Sequence, residues 1–462
     1  ALVLRASPEV FDWLRLRSTL LVAGSYRQVL RKTVASLLGP GRTEQVDTVI
    51  KTIVRADMKL AEYLNHTHLK RIMKSESDEG LGPISKLPQS FPGTDSFRDV
   101  LSRVTGSNAT IRVVQLPAQN LEALTRLVWE RPWDASISAS WSLLRTLGPA
   151  TSHRLTQLLP SESNPNDYRR LWCQTAVEDT LPFASALAYS QQPNSATLST
   201  GAAAASVVRD IQTKVAHLLR ESTESSPMAA KVQSLRKVLV FPLDKKATNF
   251  LYKEVEDINK ESSYLAALLA SRSAVFHRRL SLLGSRVSEK QMLMFVSPLD
   301  VRVRYVKANH SVLLPMAAIQ PPVFKDGFPD SINYGAFGLL VSKVLVTDVV
   351  ARNLTDARPC IQRAVGLSTA FSAASILQSG QAELPALRAF QATRVNRTRE
   401  QDRLHGFQDF THEQAFYIAG CFLDCRSGLS CLPVLKHSLW FAGAFACPRG
   451  SPMNPDEKCR FW

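Results

Sequence analysis

The sequence has no uninterrupted apolar run of about 18 residues, the length a bilayer demands, so nothing in it is written to span a membrane. It has no basic cluster and no aromatic-and-glycine motif of the RNA-recognition type. That argues against nucleic acid as a partner, although 56 Lys+Arg against 40 Asp+Glu leave a formal net charge of +16. There is no internal repeat and no Ser or Cys nucleophile motif. Gly335 to Gly338 lacks the further glycine and the Lys-Ser/Thr of a phosphate loop. The nine histidines, at 66, 68, 153, 217, 277, 310, 405, 412 and 437, include no pair four apart, so an H-E-x-x-H motif occurs nowhere. Nor does the chain open with an initiator Met or a secretory leader; its start, ALVLRASPEVF, predicts a piece of something longer.

What is present is a globular composition, 45% apolar and 21% charged over 462 residues, and that length predicts two or three domains. The seven cysteines divide unevenly: Cys173 stands alone, while Cys360, Cys421, Cys425, Cys431, Cys447 and Cys459 gather near the end. They predict a disulfide-stitched C-terminal region, at least one thiol whose partner lies elsewhere, and an oxidising compartment. Sequons at Asn65, Asn108, Asn309, Asn353 and Asn396 are glycosylation candidates, and with the cysteines they predict a secreted or extracellular protein.

The first half is written in helical period. Val46, Val49, Ile50, Ile53, Val54 and Met58 predict a helix from Thr43 to about Asn65, preceded by another from Val10 to about Leu38. Further apolar stripes run through Leu121, Leu124 and Leu127, through Trp141, Leu143, Leu144 and Leu147, and from Val207 to Leu219. Helical writing resumes from Phe241 to about Leu283; alternation at 301–306 and again at 311–314 then predicts a strand pair. The fold class is mainly α, with a helical lobe over 1–262 and a second lobe over 263–462 that mixes helices with a small sheet.

Three segments carry a resemblance: Gln320 to Phe324 (QPPVF), Pro329 to Gly338 (PDSINYGAFG) and Met453 to Trp462 (MNPDEKCRFW). In that order they resemble the neprilysin and endothelin-converting-enzyme family of zinc metallopeptidases. The resemblance is specific after Val301, weaker before it, and covers the later two thirds of a family ectodomain. It implies a two-lobed ectodomain with a thermolysin-like lobe. In the family, N-Y-G leads into a helix bearing H-E-x-x-H, whose two His hold zinc while the Glu takes a proton from the metal-bound water. A later helix carries E-x-x-x-D, which gives the third ligand and its support.

Carried onto this chain, those positions are degenerate. Counting on from Asn333-Tyr334-Gly335, the two His positions hold Lys343 and Thr347, and the general-base position holds Val344. Anchored on Gly366-Leu367 and Ala370-Phe371, the third-ligand and supporting positions fall at Pro359 and Arg363. The segment that pairs with substrate has become Arg302-Val303-Arg304, which favours an acidic ligand or else is a pair of solvated charges on an edge strand. The expectation is a pseudoenzyme without zinc or other cofactor, one that binds peptides or proteins or builds a larger assembly. The rival expectation is a working zinc metalloendopeptidase of the same family. Lys343 is a candidate ion partner of Asp348. By resemblance Cys360 pairs with Cys459, while Cys173, Cys425 and Cys447 match positions whose partners lie in an N-terminal portion. Cys421 and Cys431 have no family counterpart and are candidates for a local bridge. A disulfide-linked fragment, a second chain or an oligomer is the partner this arrangement implies.

Overall fold

The computed structural model describes residues 2–4, 8–64, 81–83, 112–115, 124, 126–158, 165–192, 198–221, 226–242, 244–255, 263–282, 293–350, 357–365, 370–395, 404–423 and 431–461. Its chain divides into two compact units. The first joins Ala1–Leu181 to Asn249–Phe295, and the second joins Pro182–Thr248 to Val296–Trp462. The sequence places a single cut near 262, whereas the chain crosses between units three times. The reason is packing. Leu198–Glu221 shares its apolar face with the later half of the chain, and Tyr264–Leu280 packs on Pro165–Thr180 in the first unit.

The first unit is helical, with Pro8–Val22, Tyr26–Leu38, Thr43–Leu64, Pro132–Thr151, His153–Leu158, Pro165–Thr180 and Tyr264–Leu280. A short sheet accompanies them, ordered β1 (Leu2–Leu4), β3 (Arg112–Gln115), β2 (Leu81–Pro83). The helix predicted over Val10 to Leu38 is broken where Gly24 takes a left-handed φ of +67°, a conformation that costs glycine nothing. The predicted stripe Val46, Ile50 and Ile53 closes on Trp13, Tyr26, Leu30, Val34 and Trp141. Leu143, read as part of a core stripe, instead points outward, 60% exposed. Inside this core Asp57 is 1% exposed and accepts hydrogen bonds from Trp13 Nε1 at 3.0 Å and Tyr26 OH at 2.5 Å. Burial pushes both the Asp57 carboxyl and the Tyr26 phenol above their ordinary ranges.

The second unit contains the three-stranded sheet β4 (Arg236–Val240), β6 (Ser311–Pro315), β5 (Arg304–Val306) in that order. β5 and β6 are the predicted pair and run antiparallel, Arg304 opposite Leu313. β4 was not anticipated. It is short, its sequence RKVLV sits between helices, and the parallel partner that completes it begins at Ser311.

The unit is organised around the Asp330–Val350 helix, which widens into π-helical turns at Tyr334–Gly338 and Leu345–Val350. This helix is long and apolar enough to cross a membrane by composition, yet 67% of its apolar window is buried by protein. Its apolarity is that of a core helix. Phe337, Val341 and Leu345, each 0% exposed, meet Val208, Ile211 and Val215 of Leu198–Glu221 and Phe390 of Ala370–Val395 in one core. The N-Y-G segment explains how His412–Phe422 approaches so closely: a Cβ on Gly335 would stand 2.2 Å from the Phe416 carbonyl oxygen. Across the same crossing, a Cβ on Gly420 would meet Gly335 O at 3.0 Å. Asn333 completes the motif by donating from Nδ2 to Lys325 O at 2.9 Å and accepting from Lys325 N at 3.2 Å.

Gly335→Ala therefore forces backbone away from backbone, with no flexible side chain to yield. It is expected to cost about 3 kcal/mol, the upper end for overpacking, and to lower Tm by roughly 5–10 °C in a calorimetric scan. Gly443→Ala, where an added Cβ meets nothing within 4 Å, is the matched control and leaves Tm near its starting value.

Candidate functional site

The helix that follows N-Y-G places Lys343, Val344 and Thr347 within the second unit, all three half-buried. Lys343 Nζ donates to Ser379 Oγ at 3.2 Å, from the Ala370–Val395 helix packed alongside. Val344 lies against the main core, and Thr347 Oγ1 is buried with no hydrogen-bond partner among the described residues. Asp348, the sequence candidate for pairing with Lys343, is exposed.

Pro359 and Arg363 are not brought to this place. Both lie exposed on Ala357–Val365, where Arg363 Nη2 stands 3.2 Å from Glu457 Oε1 near the C-terminus. Two helices follow one another here, and the register anchored on Gly366-Leu367 and Ala370-Phe371 puts Pro359 and Arg363 on the first of them. The helix that faces Lys343 is the second, and the residue it offers is Ser379. No periodicity marks Ser379 in the sequence; only packing identifies it.

Arg302, Val303 and Arg304 lie at the sheet edge. Val303 turns inward, 8% exposed, while both arginines are exposed and directed to one carboxylate. Arg302 Nε is 3.7 Å from Asp300 Oδ1, and Arg304 pairs with the same aspartate. Asp300 thus offsets much of the positive charge that would attract an acidic ligand at this edge.

The test of fit for zinc is the chemistry of these donors. An ammonium repels a divalent cation, a valine offers no lone pair, and a single threonine hydroxyl is a poor ligand. The set does not fit a zinc site. Among the described residues no group of three or more His, Cys, Asp or Glu side chains is disposed to hold a metal.

The same Ala370–Val395 helix carries Glu383, which the sequence did not single out. Glu383 is buried, accepts from Tyr417 OH at 3.0 Å and is hydrogen-bonded by Ser438 Oγ. Desolvation pushes its carboxyl up to about 7, against the smaller opposing effect of those hydroxyls. Beside it His437 accepts from Cys459 N–H at Nδ1 (3.2 Å), and burial lowers its imidazole to about 4. A shallow cleft of about 640 Å³, lined by Glu383, His437, Ser438, Lys458 and Phe461, opens over these groups.

The disulfides follow the expectation where they are described. Cys360 pairs with Cys459 (Cα–Cα 5.7 Å), and Cys421 with Cys431 (Cα–Cα 5.5 Å). Cys173 and Cys447, both half-buried, carry thiols outside any disulfide among the described residues. Cys425 lies outside the described residues, as do the sequons at Asn65, Asn108, Asn353 and Asn396. Asn309 is half-buried at the sheet edge, and Ser311 of its sequon is fully buried with Oγ donating to Asn309 O at 3.1 Å.

No family model matches the chain. It is 25% identical over 214 residues to Neprilysin-11 of Caenorhabditis elegans, a match covering 36% of this chain and 25% of that protein. To human endothelin-converting enzyme-like 1 it is 22% identical over 504 aligned residues, covering 96% of this chain and 63% of that protein. The matched length is therefore less than two thirds of either relative. Among solved structures, the zinc metalloprotease Zmp1 of Mycobacterium tuberculosis in complex with inhibitor has a TM-score of 0.66 at 16% identity. That match covers 98% of this chain and 76% of that one. A Haemonchus galactose-containing glycoprotein complex has a TM-score of 0.62 at 14% identity, covering 99% and 76%. At such identities the structural matches establish the fold.

The pH dependence of stability follows from Glu383. Between its unfolded value near 4.5 and its folded value near 7, the native state binds the extra proton, so stability falls as pH rises through that window. His437 acts in the opposite sense: the unfolded imidazole takes up a proton below 6.5 and the folded one only near 4, so stability falls as pH drops between them. Glu383→Gln is expected to remove the first effect and keep the second. Thermal melts from pH 5 to pH 8 should then show wild type losing stability relative to the variant by about 3 kcal/mol across the window.

Proposed function

From the premise that the chain belongs to the neprilysin and endothelin-converting-enzyme family, we propose that it is a family member without peptidase activity. It acts outside the cell by binding peptides or proteins, or as a component of a larger assembly. The observation that carries this reading is the set Lys343, Val344 and Thr347 on the helix after N-Y-G, with the Lys343 ammonium hydrogen-bonded to Ser379 Oγ. Where the family places two imidazoles and a carboxylate, this helix offers a cation, an alkyl group and a hydroxyl. A peptide carbonyl there would find no Lewis acid, and a water no base. Each such loss costs roughly 10²-fold or more in rate, and here they coincide.

Two features support a role in binding or assembly. One structural neighbour is a glycoprotein complex, and Cys173 and Cys447 stand outside the described disulfides. A covalent link through these thiols to an earlier fragment or second chain is part of the proposal. The extracellular setting rests on the two disulfides, which an oxidising compartment favours.

Elemental analysis of the purified chain is expected to find zinc well below one atom per molecule, and a quenched fluorescent peptide is expected to remain uncut with or without phosphoramidon. One zinc per chain, or phosphoramidon-sensitive cleavage, would sink the proposal. For the covalent partner, material from its native source should run larger on non-reducing than on reducing gels; an unchanged band counts against it.

A further inference from the structure

The first unit has a cleft of about 750 Å³ between Tyr26–Leu38 and Thr43–Leu64, unrelated to the helix that carries Lys343. Arg27 and Arg31 line one wall at helical spacing i, i+4, and Lys51, Arg55 and Lys59 line the other at i, i+4, i+8. Like charges at these spacings repel along a helix, so two such rows over one cleft carry a cost that an anion relieves. Arg17 adds a sixth cation from below. It is 8% exposed, ion-paired with Asp57 at 4.0 Å and set 5.5 Å from the Tyr26 ring centroid, and its Nε has no hydrogen-bond partner among the described residues.

The balance of charge fixes the chemistry further. Two acids also line the cleft and pair with its cations, Asp47 with Arg31 at 2.5 Å and Glu62 with Lys59 at 2.7 Å, and Arg55 is 3.0 Å from Asp134. Arg27 and Lys51 are exposed and make no ion pair among the described residues. The cleft therefore keeps a moderate positive potential. Its floor is apolar, formed by Ile50, Val54, Met58 and Ala61, with Met58 57% exposed. A densely sulfated glycan would bring more charge than two unpaired cations and a buried guanidinium neutralise, and it has no side chain for that floor. An extended peptide that alternates carboxylates with an aliphatic residue matches both the walls and the floor.

We infer that this cleft is a binding site for an acidic, leucine-type amphipathic peptide segment, whose carboxylates meet Arg27, Lys51 and Arg17 while its apolar side chain covers Met58. The site lies within one unit and does not depend on whether the chain hydrolyses peptides.

The test is fluorescence anisotropy of a labelled peptide of repeating Glu-Glu-Leu, titrated with the full chain at low ionic strength. Saturable binding is expected, weakened about tenfold or more by the double reversal Arg27→Glu/Lys51→Glu and weakened by added salt. The reversal Lys246→Glu/Lys253→Glu, on exposed residues outside the cleft, changes net charge equally and should leave the affinity within about twofold. Equal loss from both double variants would reduce the effect to net charge and overturn the assignment. So would equal affinity for a Gln-Gln-Leu peptide on the unaltered chain, a result that does not depend on any variant folding. A heparin-type oligosaccharide that binds more tightly than the peptide, and loses affinity with Arg27→Glu/Lys51→Glu, would reassign the cleft to a glycan and overturn the peptide.

Discussion

The second unit depends on a contact that a single methyl group would abolish. At Gly335 the Asp330–Val350 helix lies so close to His412–Phe422 that backbone touches backbone, and Gly420 supplies the matching gap from the other side. That approach fixes the rotation of the long helix about its own axis. Once the rotation is set, Phe337, Val341 and Leu345 are committed to the core, and Lys343 is directed toward Ala370–Val395. The direction in which Lys343 points is a consequence of packing fixed about two helical turns earlier.

Two buried carboxylates, one in each unit, are handled alike. Asp57 is held by an indole and a phenol, Glu383 by a phenol and a hydroxyl, and burial raises the proton affinity of both. Neutral donors satisfy an acid without bringing a second desolvated charge, which makes them less costly neighbours than a buried lysine. Arg17 is the exception, a charged group ion-paired with Asp57 at 4.0 Å without a hydrogen bond from its Nε, and it also lines the cleft of the first unit.

The segments that resemble the peptidase family are the ones with packing duties. Asn333 ties down the turn at Lys325, Gly335 admits a crossing helix, and Phe461 of the terminal segment covers Gly380 so tightly that a Cβ there would meet the ring at 2.5 Å. Cys459 locks the same terminus to Cys360. Of the positions that the resemblance aligns with metal ligands and proton-transfer groups, Val344 packs on the core, Thr347 Oγ1 has no hydrogen-bond partner among the described residues, and Pro359 and Arg363 are exposed. A fold can keep its architecture while changing its chemistry because the two are written on different faces of the same helices.

The sequence by itself determined the helical class, the strand pair, the family resemblance and the identity of Lys343, Val344 and Thr347, because periodicity and contiguous motifs are local properties of a chain. It also anticipated the Cys360–Cys459 bridge. Only the tertiary structure decided that residues 182–248 join the later half and that Arg236–Val240 is a strand. It alone placed Ser379 rather than Pro359 or Arg363 opposite Lys343, and turned Arg302 and Arg304 to Asp300. Each of these depends on which surfaces meet across many residues of intervening chain. Apolar stripes specify that a face is buried, and steric fit between distant segments selects the face that buries it.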